Sequence, residues 1–238
     1  VIDLVQGNGF AKQGYPARAL FSIPFVGINE KGNPVCINEK GQATVGDLNF
    51  QERNNTDYLI YEGSTDPIYN GSLGNTFNYK GFHLNLFLTY AFGNVVRLDP
   101  VFKAKYNDLT SMTHDFKNRW MQPGDENVTN VPGVVSRYEY EQNRTLLSTA
   151  YNAYNYTSVR TAKGDFIRLK EISLAYDFPH RWLENSPVNN ISLKLQATNL
   201  MLLYADKKLN GQDPEFMNAG GVASPMPKQF TLTLKLGL

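Results

Sequence analysis

The last nine residues of the chain alternate without a break between apolar side chains and small or polar ones. Because successive side chains of a strand point to opposite faces, residues 230–238 predict a strand with one apolar and one polar face. Such a strand suits the wall of an outer-membrane barrel, with lipid on one side and water on the other, or a half-buried strand of a soluble sheet. The apolar set is Phe230, Leu232, Leu234, Leu236 and Leu238, and the other set is Thr231, Thr233, Lys235 and Gly237.

Composition narrows the class of protein. With 42% hydrophobic and 19% charged residues among 238, the chain is globular rather than disordered. A net charge of +1 without a basic cluster argues against a nucleic-acid partner. The one cysteine, Cys36, excludes an internal disulfide and is expected to be a lone thiol in a loop. No run approaches the roughly 18 to 20 apolar residues of a membrane helix. Since the chain begins at Val1 without a signal peptide, we expect a segment of a longer protein.

The clearest internal strand runs from Phe82 to Phe92. Its even-numbered residues are leucine or aromatic, and aromatic residues stand at both ends, as in the interfacial girdles of membrane barrels. A second alternating run, from Leu73 to Tyr79, precedes it, and Lys80-Gly81 is short enough to join the two as a tight hairpin.

Two further alternating runs sort their charges to one side. Ile172 to Phe178 and Ile191 to Tyr204 have apolar faces, and extending the first backward places Arg168 and Lys170 on its apolar side, at headgroup height. Asp177, Lys194 and Lys235 all point away from the apolar side. Because Arg or Lys at mid-bilayer on the lipid face costs about 2–4 kcal/mol, this sorting favours a barrel wall.

Connection lengths favour the same interpretation. Tracing back from a periplasmic C-terminus makes Lys80-Gly81 and 179–190 periplasmic turns, with long extracellular loops at about 27–70, 93–164 and 205–228. An earlier strand is predicted over 17–25, although Pro24 is unfavourable in a central ladder. We predict no competing helix and no internal repeat, so the fold class is all-β and antiparallel.

Six segments then form a pattern that is more specific than any one of them. They are Asn75-Thr-Phe-Asn-Tyr-Lys-Gly-Phe82 with Tyr90-Ala-Phe-Gly93, Arg119-Trp-Met-Gln-Pro-Gly-Asp125, the segment 164–179, Ala197-Thr-Asn-Leu200, and Gly211-Gln-Asp-Pro-Glu215. In this order and spacing they resemble the C-terminal part of the SusC/RagA family of TonB-dependent outer-membrane transporters. The segments Gly14-Tyr-Pro16, Phe25-Val-Gly27 and Asn38-Glu-Lys-Gly41 extend the resemblance over essentially the whole chain.

The resemblance implies a 22-stranded transmembrane β-barrel in the bacterial outer membrane, of which residues 1–238 supply about the last six strands. It implies TonB-dependent import of oligosaccharide or peptide, contact with outer-membrane lipid, and a SusD-like surface lipoprotein as partner. The plug domain and TonB box are absent from this chain, so the TonB complex would act through a missing N-terminal part. The chain ends on Leu238, where many outer-membrane strands end in Phe.

Candidate site residues follow from the strand faces and the outer loops. Polar residues of the alternating strands are predicted to face the lumen, either as plain solvated wall or against the plug: His83, Asn85, Asp177, Lys194, Gln196 and Lys235. Aromatic residues of the long outer stretch could stack on sugar rings, pack against the lipoprotein, or hold the loop together: Trp120, Tyr138, Tyr140, Tyr151, Tyr154 and Tyr156.

No enzyme, metal or cofactor is predicted. The three histidines, His83, His114 and His180, fall on separate elements without a catalytic or metal-binding spacing. Loop carboxylates could ligate calcium, but they are better explained as turn caps: Asp125, Glu126, Asp213 and Glu215. The alternative to a transporter is a soluble or surface-exposed β-sandwich that binds carbohydrate, because strand alternation alone permits it.

Overall fold

The computed structural model describes residues 1–7, 11–107, 109, 111–184, 187–217 and 226–237. Three α-helices lie at α1 (Ile2–Gln6), α2 (Arg137–Gln142) and α3 (Arg144–Asn155). The strands are β1 (Ala19–Ser22), β2 (Phe25–Ile28), β3 (Pro34–Ile37), β4 (Ala43–Thr44), β5 (Ile60–Ser64), β6 (Tyr69–Tyr79), β7 (Phe82–Phe92), β8 (Val95–Arg97), β9 (Thr161–Lys163), β10 (Phe166–Asp177), β11 (Asn190–Ala205) and β12 (Gln229–Gly237). Short 3₁₀ helices lie at His114–Asn118, Asp125–Asn127, Ser158–Arg160, His180–Trp182, Lys207–Leu209 and Pro214–Phe216.

The chain divides into two compact units that alternate along the sequence. Unit 1 comprises residues 1–66, 94–163 and 208–210, and unit 2 comprises residues 67–93, 164–207 and 211–238. The ranges 27–70 and 93–164, predicted as long loops, contain much of the regular structure of unit 1.

Unit 2 contains one antiparallel sheet of five strands in the order β12-β11-β10-β7-β6, which we call the long sheet. Residues paired directly across neighbouring strands lie on the same face. One such row reads Phe77, Leu84, Leu174, Leu195 and Leu232, and the next reads Thr76, Asn85, Ser173, Gln196 and Thr231. These rows define the apolar face and the polar face of the long sheet. The alternation predicted for β6, for β7 and for most of β10 and β11 is confirmed.

The turn between β6 and β7 is the predicted hairpin. Tyr79 pairs with Phe82, so Lys80 and Gly81 alone form the loop. Both have positive φ angles, 46° and 85°, as a type I′ turn requires, and this turn matches the right-handed twist of the strands it joins. The two-residue connection therefore fixes the register of both strands.

The predicted position of Arg168 on the apolar side is wrong, while Lys170 has no paired position that tests the prediction. The register of β10 shifts between Leu169 and Glu171 against both neighbouring strands. Against β7 the extra residue is Lys170, which forms a β-bulge. The extra residue moves Arg168 opposite Thr89, on the polar face. Leu169, opposite Leu88, then continues the apolar face, so the bulge removes a cation from that face and keeps the face apolar.

The core of unit 1 is built from both helices and strands, so the all-β prediction is wrong for this unit. In α3, Leu147, Ala150, Tyr151 and Tyr154 are buried. Their spacing of three and four residues places them on one side of the helix. Ala153, also in α3, lies in a core cluster with Val5, Phe21 and Ile23. The antiparallel β part of the prediction is confirmed, whereas the absence of a competing helix is not.

The strand predicted over 17–25 is broken in two. Strand β1 pairs with β5, and β2 belongs to a separate sheet, β2-β3-β4. Pro24, which has no N–H for a ladder, lies between β1 and β2, and its carbonyl accepts from the amide of Ile37. All four residues of β1 are buried in unit 1.

Cys36 lies in β3 rather than in a loop. It is buried, and burial raises the pKa of its thiol to about 12. A buried thiol with a raised pKa is a poor nucleophile, which agrees with the predicted unreactive role.

The long sheet is open in this structure. Among the described residues, β6 and β12 each have a single neighbouring strand, so no closed barrel forms, and the predicted count of about six strands is not confirmed. Leu238, the last residue of the predicted terminal strand, lies outside the described residues. None of the helices in the described part of the chain combines the length and apolar character needed to cross a bilayer.

Candidate functional site

The polar face of the long sheet is the candidate functional surface. The structure places all six residues predicted to face the lumen on it: His83, Asn85, Asp177, Lys194, Gln196 and Lys235. The pairs between β11 and β12 continue the face, with Lys194 opposite Thr233 and Lys235 opposite Ser192. One surface therefore carries the charged and amide groups, as the wall of an aqueous channel would require.

A polar cluster lies beside the β6-β7 hairpin. The His83 ring contacts two oxygen atoms: Nδ1 lies 2.6 Å from Oδ1 of Asn78, and Nε2 lies 2.9 Å from Oδ2 of Asp177. The amide of Asp177 also donates to the carbonyl of Gly81. These bonds join β6, β7 and β10 at this end of the sheet.

A second cluster, buried and ionic, lies toward the other end of the polar face. Nη2 of Arg168 lies 2.6 Å from Oδ1 of Asp213 and 3.2 Å from Oε2 of Glu215. The Arg168 guanidinium lies 5.6 Å from the centre of the Phe166 ring. The sequence analysis did not find this cluster, because the strand alternation alone assigns Arg168 to the opposite face.

Two of the six aromatic residues proposed to contact a ligand are buried in unit 1. Tyr151 donates to the carbonyl of Gly133 at 2.6 Å, and the Tyr154 ring packs edge-on against Phe102 and Phe25. Burial raises the pKa of both tyrosine hydroxyls. Of the roles predicted for them, holding the fold together is the one that these positions allow.

The other four aromatic residues are partly or fully exposed. Tyr138 is 77% exposed, and Tyr140 packs partly against the core of α3. The Tyr156 hydroxyl accepts from the Gln6 amide. The Trp120 indole donates to Oε2 of Glu126 at 2.9 Å. The described contacts of Trp120, Tyr140 and Tyr156 are internal to unit 1, which leaves Tyr138 as the side chain most available to a partner.

The Trp120 indole lies against two glycines. A Cβ atom added to Gly32 would lie 2.4 Å from the indole, and one added to Gly133 would lie 2.9 Å from it. The amide of Gly133 donates to the carbonyl of Gly32 at 2.9 Å, so two backbone segments meet beside the ring.

The predicted absence of an internal repeat is wrong, since Ile28-Asn-Glu-Lys-Gly32 recurs as Ile37-Asn-Glu-Lys-Gly41.

The two copies of the repeat form the same turn. In each, the asparagine side chain accepts from backbone amides two and four residues on, at 2.9–3.1 Å. Gly32 and Gly41 close these turns with φ angles of 79° and 75°. The repeat therefore offers two glycines in one conformation, of which Gly32 alone contacts Trp120, while nothing lies within 4 Å of a Cβ at Gly41.

We expect Gly32→Ala to destabilise unit 1 more than Gly41→Ala does. Both changes carry the left-handed penalty of about 1–2 kcal/mol, and Gly32→Ala adds a clash that costs about 1–3 kcal/mol. Hydrogen exchange of the segment 119–133 measures the difference. Equal protection of this segment in the two variants would show that the Trp120 contact contributes nothing.

Three of the four candidate calcium ligands, Asp125, Glu126 and Asp213, serve as turn caps, and the Glu215 carboxylate pairs with Arg168. Oδ2 of Asp125 accepts from the amides of Met121 and Gln122, and Oε2 of Glu126 accepts from that of Gly124. Asp213 accepts from the amide of Glu215 at the start of a 3₁₀ helix. In the described part of the chain, no three His, Cys, Asp or Glu side chains are arranged to hold a metal ion.

Comparison with known proteins shows which proteins this chain resembles in sequence and in fold. No protein-family model matches the chain. Two curated relatives from Formosa agariphila are TonB-dependent receptor P39, 27% identical over 192 residues, and TonB-dependent receptor P3, 26% identical over 160 residues. The alignments cover 76% and 64% of this chain, but the chain spans only 17% and 13% of those relatives.

Solved structures show the same fold. The RagAB peptide importer in its open-open state matches 92% of this chain with a TM-score of 0.61 and 19% identity, and the match covers 22% of that chain. A second structure, of the RagAB peptide transporter, matches 92% of this chain with a TM-score of 0.61 and 20% identity, and this match also covers 22% of that chain.

These relatives confirm the predicted resemblance to TonB-dependent receptors. Because such receptors are outer-membrane proteins, the relatives also confirm the predicted location, the bacterial outer membrane. The relatives and structural neighbours are named as receptors and transporters, not as enzymes.

Proposed function

We propose that this chain is the C-terminal part of a larger TonB-dependent importer, and that the long sheet is part of its barrel wall. The observation that carries this proposal is the apolar face. Leu195 and Leu232, both in the row that crosses all five strands, are 53% and 69% exposed. No charged residue occupies a paired position on that face among the described residues. A soluble monomer rarely exposes so large an apolar surface, whereas lipid requires it.

The open edges of the long sheet support a larger barrel. Unpaired strand edges are not tolerated in hydrocarbon, because each exposed N–H or C=O would lack a partner. We infer that β6 and β12 pair with strands supplied by the rest of the importer. The polar face then lines the lumen, and the His83 and Arg168 clusters lie inside it.

The cargo we propose is an oligosaccharide or a peptide, taken up with a SusD-like surface lipoprotein and energised by the TonB complex. The peptide importer named among the structural neighbours supports the peptide, and the SusC/RagA resemblance supports both. The alternative of a soluble carbohydrate-binding sandwich would need a second layer over the apolar face of the long sheet.

Uptake by living cells tests this function. Cells that lack the gene should lose accumulation of one labelled cargo class, either oligosaccharides or oligopeptides, and inactivating TonB in cells that have the gene should cause the same loss. A matched strain with the gene restored is the control. Uptake of both classes unaffected by deletion would contradict the proposal.

A further inference from the structure

The segment between β11 and β12 is tied to the polar face of the long sheet. Asp213, Pro214 and Glu215 belong to this segment, and Arg168 belongs to β10 in the interior of the sheet. Arg168 is opposite Thr89 in β7 and Leu202 in β11, which fixes its side chain on the polar face. Asp213 and Glu215 therefore lie within contact distance of a side chain on that face.

The ion pair between Arg168 and Asp213, which makes this connection, is buried. The side chains of Arg168 and Asp213 are 8% and 9% exposed, and that of Glu215 is 44% exposed. Nη2 of Arg168 contacts both carboxylate oxygens of Asp213. Asp213 also caps the 3₁₀ helix Pro214–Phe216, and Pro214 is buried. Separating a buried ion pair leaves an uncompensated charge and is strongly destabilising. Movement of this segment away from Arg168 would therefore cost considerable free energy.

We infer that residues 213–216 form a strap held inside the barrel lumen by Arg168, and that this strap narrows the passage. The inference rests on the proposed function, because the polar face lines a lumen only in a closed barrel. The β-bulge at Lys170 is part of the device, since without it the alternation would aim Arg168 at lipid. Arg168 is thus a positioning residue, whose role is to hold the strap rather than to contact cargo.

The permeability of the outer membrane tests the strap. Cells that make the whole receptor should become several-fold more sensitive to vancomycin, which is normally excluded by size, when it carries Arg168→Gln or Asp213→Asn. Lys170→Gln removes the same charge two residues away, where the structure gives no ion pair, and should leave sensitivity unchanged. The exchange of Arg168→Asp with Asp213→Arg should restore exclusion relative to either change alone.

The outcomes separate the strap from the proposed function. Unchanged sensitivity in both single variants, with the receptor present in the outer membrane, would overturn the strap and leave the barrel wall intact. Equal sensitivity in Lys170→Gln and Arg168→Gln would also overturn it. Should Arg168→Gln fail to assemble, Asp213→Asn tests the same contact from outside the sheet. A receptor absent from the outer membrane of unmodified cells would instead contradict the proposed function.

Discussion

Replacing Leu86 by arginine should abolish assembly into the outer membrane, whereas replacing its neighbour Asn85 by arginine should be tolerated. Leu86 lies on the apolar face, opposite Ile172 of β10. Arginine on the lipid side near mid-bilayer costs about 2–4 kcal/mol, and assembly must pay this before the barrel closes. Asn85 lies on the polar face opposite Ser173, where an added cation remains in water.

The two variants are matched in strand, depth and introduced residue. Asn85→Arg loses one hydrogen bond, which the Thr76 hydroxyl donates to Oδ1 of Asn85 at 3.1 Å, and this exposed bond contributes little. The amount of folded, heat-modifiable receptor in the outer membrane measures the result. Similar losses at positions 85 and 86 would contradict the assignment of the apolar face to lipid.

The second large effect is expected in unit 1, from Arg97→Leu. The buried Arg97 guanidinium donates to the carbonyls of Phe21, Val5 and Thr157 at 2.6–3.1 Å, and to the Ser22 hydroxyl at 3.1 Å. Burial lowers its pKa to about 10, so it is still charged at neutral pH. Leucine would leave several buried acceptors without a donor, at about 1–3 kcal/mol each.

We therefore expect Arg97→Leu to destabilise unit 1 by about 3 kcal/mol or more, which raises its exchange through opening by about 100-fold. Hydrogen exchange of β1 measures this in the intact chain. Arg137→Leu is the control, because its pair with Glu141 is exposed and such pairs contribute about 0.3–0.5 kcal/mol. Exchange in β1 that is equally fast in the two variants would contradict a structural role for Arg97.

Sequence reasoning succeeded where one local pattern decides the structure. Two-residue alternation predicts β7 because each face of the strand keeps a single environment, apolar or polar, over the whole length of the strand. Lys80-Gly81 predicts its hairpin because a loop of two residues requires positive φ angles, which glycine adopts readily. The six polar residues predicted to face the lumen followed directly from the same alternation.

The predictions from sequence were wrong or incomplete where contacts between residues far apart in the sequence determine the structure. The bulge at Lys170 depends on the register against β7 and β11, and the ion pair of Arg168 depends on residues 45 positions away. Helix α3 did leave a signal, because Leu147, Ala150, Tyr151 and Tyr154 follow helical spacing. That signal was missed because its tyrosines were considered as a binding surface. Arg97 gave no signal, since its partners are three backbone carbonyls and a serine hydroxyl from three separate segments.

The most direct test of the barrel wall is the size and gel mobility of the protein in isolated outer membranes, detected with an antibody against residues 226–237. Closed outer-membrane barrels resist unfolding by detergent until heated, so their gel mobility shifts on boiling. We expect a heat-modifiable outer-membrane band several times larger than 26.8 kDa. A soluble band at 26.8 kDa would contradict the barrel wall and favour the soluble binding module.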